Sequence, residues 1–264
     1  MVMAIVFFTV SILSSIVGSI CGIGGGVIIK PVLDATGIMS VSAISFLSGC
    51  TVLAMSVVSV YKNVRAKAAK LNLRIATGLA AGAAAGGVLG KTMFQTLKSA
   101  VGNESVVGMT QALVLIAVTL GTLIYTFYKH RIKTKTYTQL WLCLIIGILL
   151  GIMSSFLGIG GGPINLVVLA FFFSMNTKEA ALSSLYIIMF SQITSLVQTC
   201  VTGTVPEISA AYLVAMVIGG ILGGTLGSRV NKKISEEGVD KLFIALMIVI
   251  IGINIYNAIK FGIA

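Results

Sequence analysis

The chain has 264 residues, of which 57% are hydrophobic and only 9% charged, and its mean hydropathy is +1.09. A soluble domain carries about a quarter charged residues, so this composition excludes one and places nearly all of the mass in a bilayer. The net charge of +11 is not a nucleic-acid footprint, because the basic residues fall into a few short loops, as cytoplasmic loops do.

In chain order, Val2–Cys21 is the first apolar stretch long enough to cross a membrane. It follows Met1 with no basic leader and no cleavage site, so it is expected to stay as a helix rather than leave as a signal peptide. The run Gly22-Ile-Gly-Gly-Gly26 comes next, then a short apolar piece, Val27–Ala35. Val41–Tyr61 crosses again and leads into a basic loop with Lys62, Arg65, Lys67, Lys70 and Arg74. Ile75–Phe94 spans, a polar turn occupies Lys98–Ser105, and Val106–Tyr128 spans. A second basic loop holds Lys129, His130, Arg131, Lys133 and Lys135, and His130, the single histidine, reads as solvated there.

The same order then recurs. Thr138–Leu157 spans, Gly158-Ile-Gly-Gly-Gly162 repeats the glycine run, and Pro163–Phe173 is the short piece. Ala180–Val201, Ile208–Gly227 and Leu242–Ile259 are the remaining spans. A nearly uncharged turn at Gly203–Glu207 and a mixed-charge loop at Arg229–Lys241 separate them. At about 1.5 Å per residue the long pieces cover roughly 30 Å of hydrocarbon, whereas the short ones do not.

The expected fold is therefore an all-α integral membrane protein of two similar repeats, with about eight to ten transmembrane segments. The repeats are 1–128 and 138–264, joined by a basic cytoplasmic linker at 129–137. Gly78, Gly82, Gly86 and Gly90 form a stripe spaced by four, and Ala215, Gly219, Gly223 and Gly227 repeat it. Such small faces let helix backbones approach closely, within one chain or between copies in a homo-oligomer. If the repeats are inverted, loops 62–74, 129–135 and 228–241 share one side. Only Lys91, Lys98 and Lys260 then lie on the other, with Lys30 and Lys178 left at the short pieces. A parallel arrangement would divide the basic loops more evenly, so the positive-inside rule favours inversion. Each half would then carry about five crossing elements, two of them meeting at the glycine break.

The glycine runs are the candidate site. Four glycines in five residues should break a helix, and a break in hydrocarbon leaves backbone groups that need protein or a water-filled cavity as partner. Paired breaks, one per half, are the pattern of a transporter whose site lies between internal repeats. Val27 and Pro163 begin the short helices, whose free N–H groups and positive dipole ends could hold an oxyanion. The substrate-binding candidates are Gly22, Gly24, Gly25, Gly26 and Val27 from the first half, with Gly158, Gly160, Gly161, Gly162 and Pro163 from the second. Close backbone packing without a ligand is the bland alternative.

Lys30, one turn past the first break, would add a full positive charge, unless it snorkels or pairs with Asp34 four residues on. Asn165, Gln192, Ser48 and Ser184 are polar groups in the adjoining pieces, and Ser48 and Ser184 are 136 positions apart, the offset of the glycine runs. Each could equally bond its own helix. No phosphate-binding nucleotide loop is present, since no Gly-Lys-Ser/Thr closes either run. The four cysteines, Cys21, Cys50, Cys143 and Cys200, form no CxxC pair and read as packing residues. With one histidine there is no metal-ligand cluster, and no nucleophile–base set can be assembled, so no cofactor, metal or enzymatic activity is expected.

The stretch Gly22-Ile-Gly-Gly-Gly-Val-Ile-Ile-Lys-Pro31, followed by Val32 and Leu33, resembles the signature of the sulfite exporter TauE/SafE family of membrane permeases. Gly158–Pro163 with the small, serine-containing stretch Ala180–Ser184, the basic loop after the third segment and the glycine stripe at 78–90 resemble it too. The likeness covers essentially the whole chain. It implies a multi-pass protein of the cytoplasmic membrane that moves a small sulfur-containing anion such as sulfite, thiosulfate or an organosulfonate. The second copy departs from the first: Leu166 matches Lys30 and Val167 matches Pro31. A membrane thiol-redox carrier would need paired cysteines at the breaks, and Cys21 is matched by Leu157. A cation exporter would need intramembrane carboxylates, for which only Asp34 is a candidate.

Overall fold

A computed structural model describes residues 2–66, 69 and 71–263, with the side chains of Val2 and His130 outside the description. Lys67 and Lys70 of the first basic loop thus lie outside the described residues. The chain is an all-helical multi-pass membrane protein. Its helices are α1 (Val2–Cys21), α2 (Gly26–Thr36), α3 (Val41–Arg65), α4 (Leu73–Val101), α5 (Glu104–Tyr128), α6 (Leu140–Leu157), α7 (Pro163–Phe173), α8 (Thr177–Val201), α9 (Ala210–Lys233) and α10 (Glu236–Ile263). Eight of these, all but α2 and α7, are long and apolar enough to cross a bilayer.

Local chemistry sets the ends. Ser40, Asn72, Asn103 and Asn176 cap α3, α4, α5 and α8, each accepting a hydrogen bond from a backbone N–H of the first turn. At the far end of α6, Gly158 takes the left-handed conformation (φ 65°) that ends a helix without a side-chain clash.

Polar contacts sort the helix ends onto two faces. On the first face, Glu104 accepts from Val41 N and Ser42 Oγ, Lys98 pairs with Glu104, and Lys260 Nζ donates to Ala35 O. On the second, Asn63 donates to Ser228, Lys129 pairs with Asp240, Thr177 donates to Asp240, and Lys135 N donates to Phe171 O. The first face thus holds the end of α2 and the start of α3, and the second holds the end of α5 and the end of α7.

Neither short helix continues the line of its predecessor. A Cβ on Gly25 would lie 3.2 Å from Ser14 O and from the Ser15 backbone, so the chain turns back along α1 after Cys21. Ile29 and Leu33 of α2 then share a core cluster with Phe7 near the start of α1. In the same way α7 ends where α6 begins, since Phe171 O and Phe172 O accept from Lys135 N and Tyr137 N. The sequence suggests two elements meeting at each break, and α1–α2 and α6–α7 do meet there, as hairpins that fold back on themselves rather than as one broken span.

Both glycine stripes are used inside the chain. A Cβ on Gly82, Gly86 or Gly90 would strike Leu144 O, Ile148 O or Ile152 O of α6, and one on Gly147 or Gly151 would strike Leu79 O or Ala83 O of α4. The stripe of α9 meets α1 likewise, Gly223 against Ile12 O and Ser15, Gly227 against Ile16 O. These faces are therefore covered and do not offer a surface for a second copy. The most extensive helix pairings of the molecule, α4 with α6 and α1 with α9, join one half of the chain to the other.

Candidate functional site at the crossing of two glycine breaks

The two breaks pass each other in the middle of the molecule. A Cβ on Gly24 would lie 3.3 Å from Gly160 O, and one on Gly26 would run into Ile159 O and come within 2.8 Å of Ser48 Oγ. Each break is also wedged on a helix of the opposite half. Gly22 (φ 77°) packs on Ala181 of α8, and Gly158 packs on Ser45 of α3, where a Cβ would fall 2.6 Å from the hydroxyl. Val52 and Ile188, 136 positions apart, press on Gly160 and Gly161. Gly161, at φ 117°, has both a backbone closed to other residues and a side-chain space filled by Ile188.

This geometry leaves a cluster of buried backbone donors without acceptors in the protein. Among the described residues, the N–H groups of Gly24, Gly25, Gly26 and Val27 have no hydrogen-bond acceptor in the protein. The same holds for Ile159, Gly160, Gly161, Gly162 and Ile164, and Pro163 has no N–H to place. Gly24–Val27 and Ile159–Gly162 are all buried. Such clustering is unusual, because buried backbone N–H groups are nearly always paired. The first N–H groups of a helix are also the positive end of its dipole, equivalent to about half a charge.

Side chains around the crossing add neutral polar atoms. Asn165 Nδ2 donates to Ser184 Oγ at 3.3 Å, while Asn165 Oδ1 and Ser48 Oγ, both fully buried, have no partner. Ser45 and Ser183 hydroxyls are likewise unpartnered. The structure thus brings together the glycines, Val27, Pro163, Asn165, Ser48 and Ser184. Gln192 stands slightly apart, with Nε2 3.4 Å from Ser154 Oγ and Oε1 2.9 Å from where a Cβ on Gly49 would be. Lys30 does not join them. Its ammonium is 2.6 Å from Asp34 Oδ2, and the pair is buried at 3% and 7% exposure.

A small crevice lies toward each face, one reaching Gly158 and the other reaching Ala181, the residue on which Gly22 packs. The one on the first face is walled by Ser45, Gly49, Lys91, Phe94, Gln111, Ser155, Gly158, Gln192, Ser195 and Thr199. The one on the second face is walled by Ser19, Asn63, Ala69, Lys178, Ala181, Leu182, Leu185 and Asn231. Each has a volume of about 10 Å³, room for a single water. Ser19 and Ser155, Asn63 and Thr199, and Ala181 and Ser45 are 136 positions apart, so the two crevices are built from matching places in the halves. Gln111, Ser155 and Ser195 were not singled out from the sequence, and Lys91 and Lys178 entered there only as charges, with no site assigned. The 136-residue offset applied to Ser19 and Ser155 was the available signal. A separate cavity of about 370 Å³ lies near the second face among α5, α7, α8 and α10, walled by Leu166 and Ala170 and bordered by the Lys129–Asp240 pair. It contains no residue of either glycine run.

The arrangement can hold a small group rich in acceptors. It offers donors from two helix N-termini, amide and hydroxyl groups, no carboxylate among the crevice residues, and no assembled nucleophile and base. The described residues contain no cluster of His, Cys, Asp and Glu fit to ligate a metal.

No curated protein and no solved structure matches the chain. A family model does: that of the sulfite exporter TauE/SafE matches residues 7–255, nearly the full length. With a break of this build in each half and eight helices long and apolar enough to cross a bilayer, the chain belongs to the sulfite exporter TauE/SafE family of membrane transporters.

Proposed function

We propose that the protein is a permease for a small sulfur-containing anion, sulfite, thiosulfate or an organosulfonate, and that the anion binds where the two glycine breaks cross. The observation that carries this reading is the set of unpartnered, buried N–H groups at Gly24–Val27 and Ile159–Gly162. An anion is the partner such a set lacks, and two dipole ends supply charge without burying a full cation. Asn165, Ser48 and Ser184 complete the shell, and Gln192 lies on the way in.

The protein works as two inverted repeats, 1–128 and 138–264, around the linker 129–137. In this reading each hairpin, α1–α2 and α6–α7, returns to the face it left, so α3–α5 and α8–α10 supply three crossings per half, and an odd number reverses the second half. Loops holding Lys62, Arg65, Arg74, Lys129, Arg131, Lys133, Lys135, Arg229, Lys232 and Lys233 then share the second face, which is the cytoplasmic one of the cell membrane. With both crevices nearly closed, the site is occluded, and transport opens one crevice at a time. An anion leaving an inside-negative cell gains about 2.3 kcal/mol per charge per 100 mV, so export needs no coupling ion.

The test is flux of labelled sulfite and thiosulfate in vesicles reconstituted with purified protein. Saturable flux, competed by other small oxyanions and kept in Cys21→Ser, is expected. The thiol-redox alternative requires that Cys21→Ser abolish activity, and a cation exporter requires flux of a cation with no response to any anion. Either result would displace the reading.

A further inference from the structure

From this reading of the crossing as an anion site, we infer that Lys91 and Lys178 are the entry cations of its two openings, each serving one face only. Lys91 is in α4, ten residues before its end, well inside the helix. It lines both the narrow crevice that reaches Gly158 and an outer cleft of about 690 Å³ that opens between Lys98, Glu104 and Thr204. Only Phe94 shares that double position with it. The Lys91 ammonium lies 5.2 Å from the centre of the Phe94 ring, and among the described residues it has no carboxylate partner. Lys98, the other lysine of the cleft, is paired with Glu104 and donates to Ser42.

Lys178 has the corresponding place on the second face. It lines the crevice next to Ala181, the residue on which Gly22 packs, and it too has no carboxylate partner among the described residues. The two lysines are not 136 positions apart. The halves reach one arrangement, a lone half-buried ammonium at the crevice, from different helix positions.

A lysine without a counter-ion beside a narrow, donor-lined passage attracts an anion and repels a cation. The ammonium also offsets the desolvation of a charged solute as it leaves water, which the neutral donors at the crossing do only once it arrives. Because the crevices lie on opposite faces, each lysine acts on substrate arriving from its own face. A structural lysine would alter both directions together.

The experiment uses right-side-out and inverted membrane vesicles from cells producing the full chain, with labelled sulfite and thiosulfate as probes. Lys91→Gln should raise the half-saturating concentration about tenfold for entry from the Lys91 face, the size of one lost charge-assisted hydrogen bond, and leave entry from the other face unchanged. Lys178→Gln should do the reverse. Lys91→Arg and Lys178→Arg should keep most of the affinity, and protein amount in the membrane should be unchanged throughout. Equal effects on both faces, or no effect of either glutamine variant while the wild type transports, would overturn the inference and leave the permease reading standing. Absence of flux in the wild type with both anions, in both vesicle types, would overturn the permease reading and this inference with it.

Discussion

The Lys30 ammonium and the Asp34 carboxylate are joined at 2.6 Å inside the bundle, whereas 136 positions later the same places hold Leu166 and Ala170. One half thus fills with an ion pair a space that the other half lines with apolar side chains and leaves partly open as a cavity. Asp34 Oδ1 has no partner, so the pair is not fully satisfied.

Removing one member should therefore unfold more than it inhibits. Lys30→Ala leaves a buried carboxylate alone and should cost about 3–5 kcal/mol, whereas Lys30→Leu with Asp34→Ala, copying the second half, should recover most of it. Thermal unfolding of purified protein checks this. A normally stable Lys30→Ala protein with weakened sulfite affinity would instead put Lys30 in the binding site.

Gly161→Val should abolish flux. Its φ of 117° suits glycine alone, and the new side chain would collide with Ile188. Gly25→Val should act in the same direction by pushing the hairpin off Ser14 and Ser15. Flux in reconstituted vesicles, measured on the fraction that elutes as intact protein, decides it, and full activity of both variants would move the site elsewhere.

Asn165→Ala should raise the half-saturating concentration by about tenfold, the loss of one buried hydrogen bond to substrate, with a smaller rise for Ser48→Ala. The backbone donors remain in both, so flux should be weakened rather than lost. Unchanged concentration dependence in the two variants would remove these side chains from the site.

Gly86→Leu should lower the yield of folded protein without changing anion preference, because a side chain there would separate α4 from α6 at Ile148. Overpacking of this kind costs about 1–3 kcal/mol or more. The checks are monodisperse yield and competition by thiosulfate. An abundant variant with altered preference would make the stripe part of the pathway.

A cysteine replacing Lys133 in a cysteine-free protein should resist an impermeant thiol reagent added to intact cells, and one replacing Val205 should react. The opposite pattern would exchange the two faces. Lys133 adjoins the end of α5 and Val205 the end of α8, on different faces of the bundle.

Much of this was readable in the chain. The apolar lengths gave the spans, and the glycine runs fall where α1 and α6 stop. The direction of the chain after each stop was not readable. A glycine run says that a helix ends, but only the contact of Gly25 with Ser14 and Ser15 shows the reversal. The weight of Lys30 was not readable for a related reason: the i,i+4 spacing to Asp34 was visible, but not that the pair is buried. Lys91 followed a glycine near the end of an apolar stretch and counted as a loop charge, yet α4 continues to Val101. Gln111 and Ser155 are single polar residues in apolar spans, and only the meeting of α5, α6 and α8 gives them a common crevice.

The pairing of α4 with α6 and of α1 with α9 means that the halves along the chain are not separate bodies in space. Each half presents its glycine or small-residue face outward and finds the matching face only on the other half. If the halves are inverted as proposed, a polypeptide with just one of them could cover that face in lipid only by clasping a second molecule lying upside down beside it. On that reading the single chain is in effect that antiparallel pair made permanent, with the tether at 129–137 fixing a one-to-one ratio and freeing each side to diverge, as Lys30 and Leu166 have done.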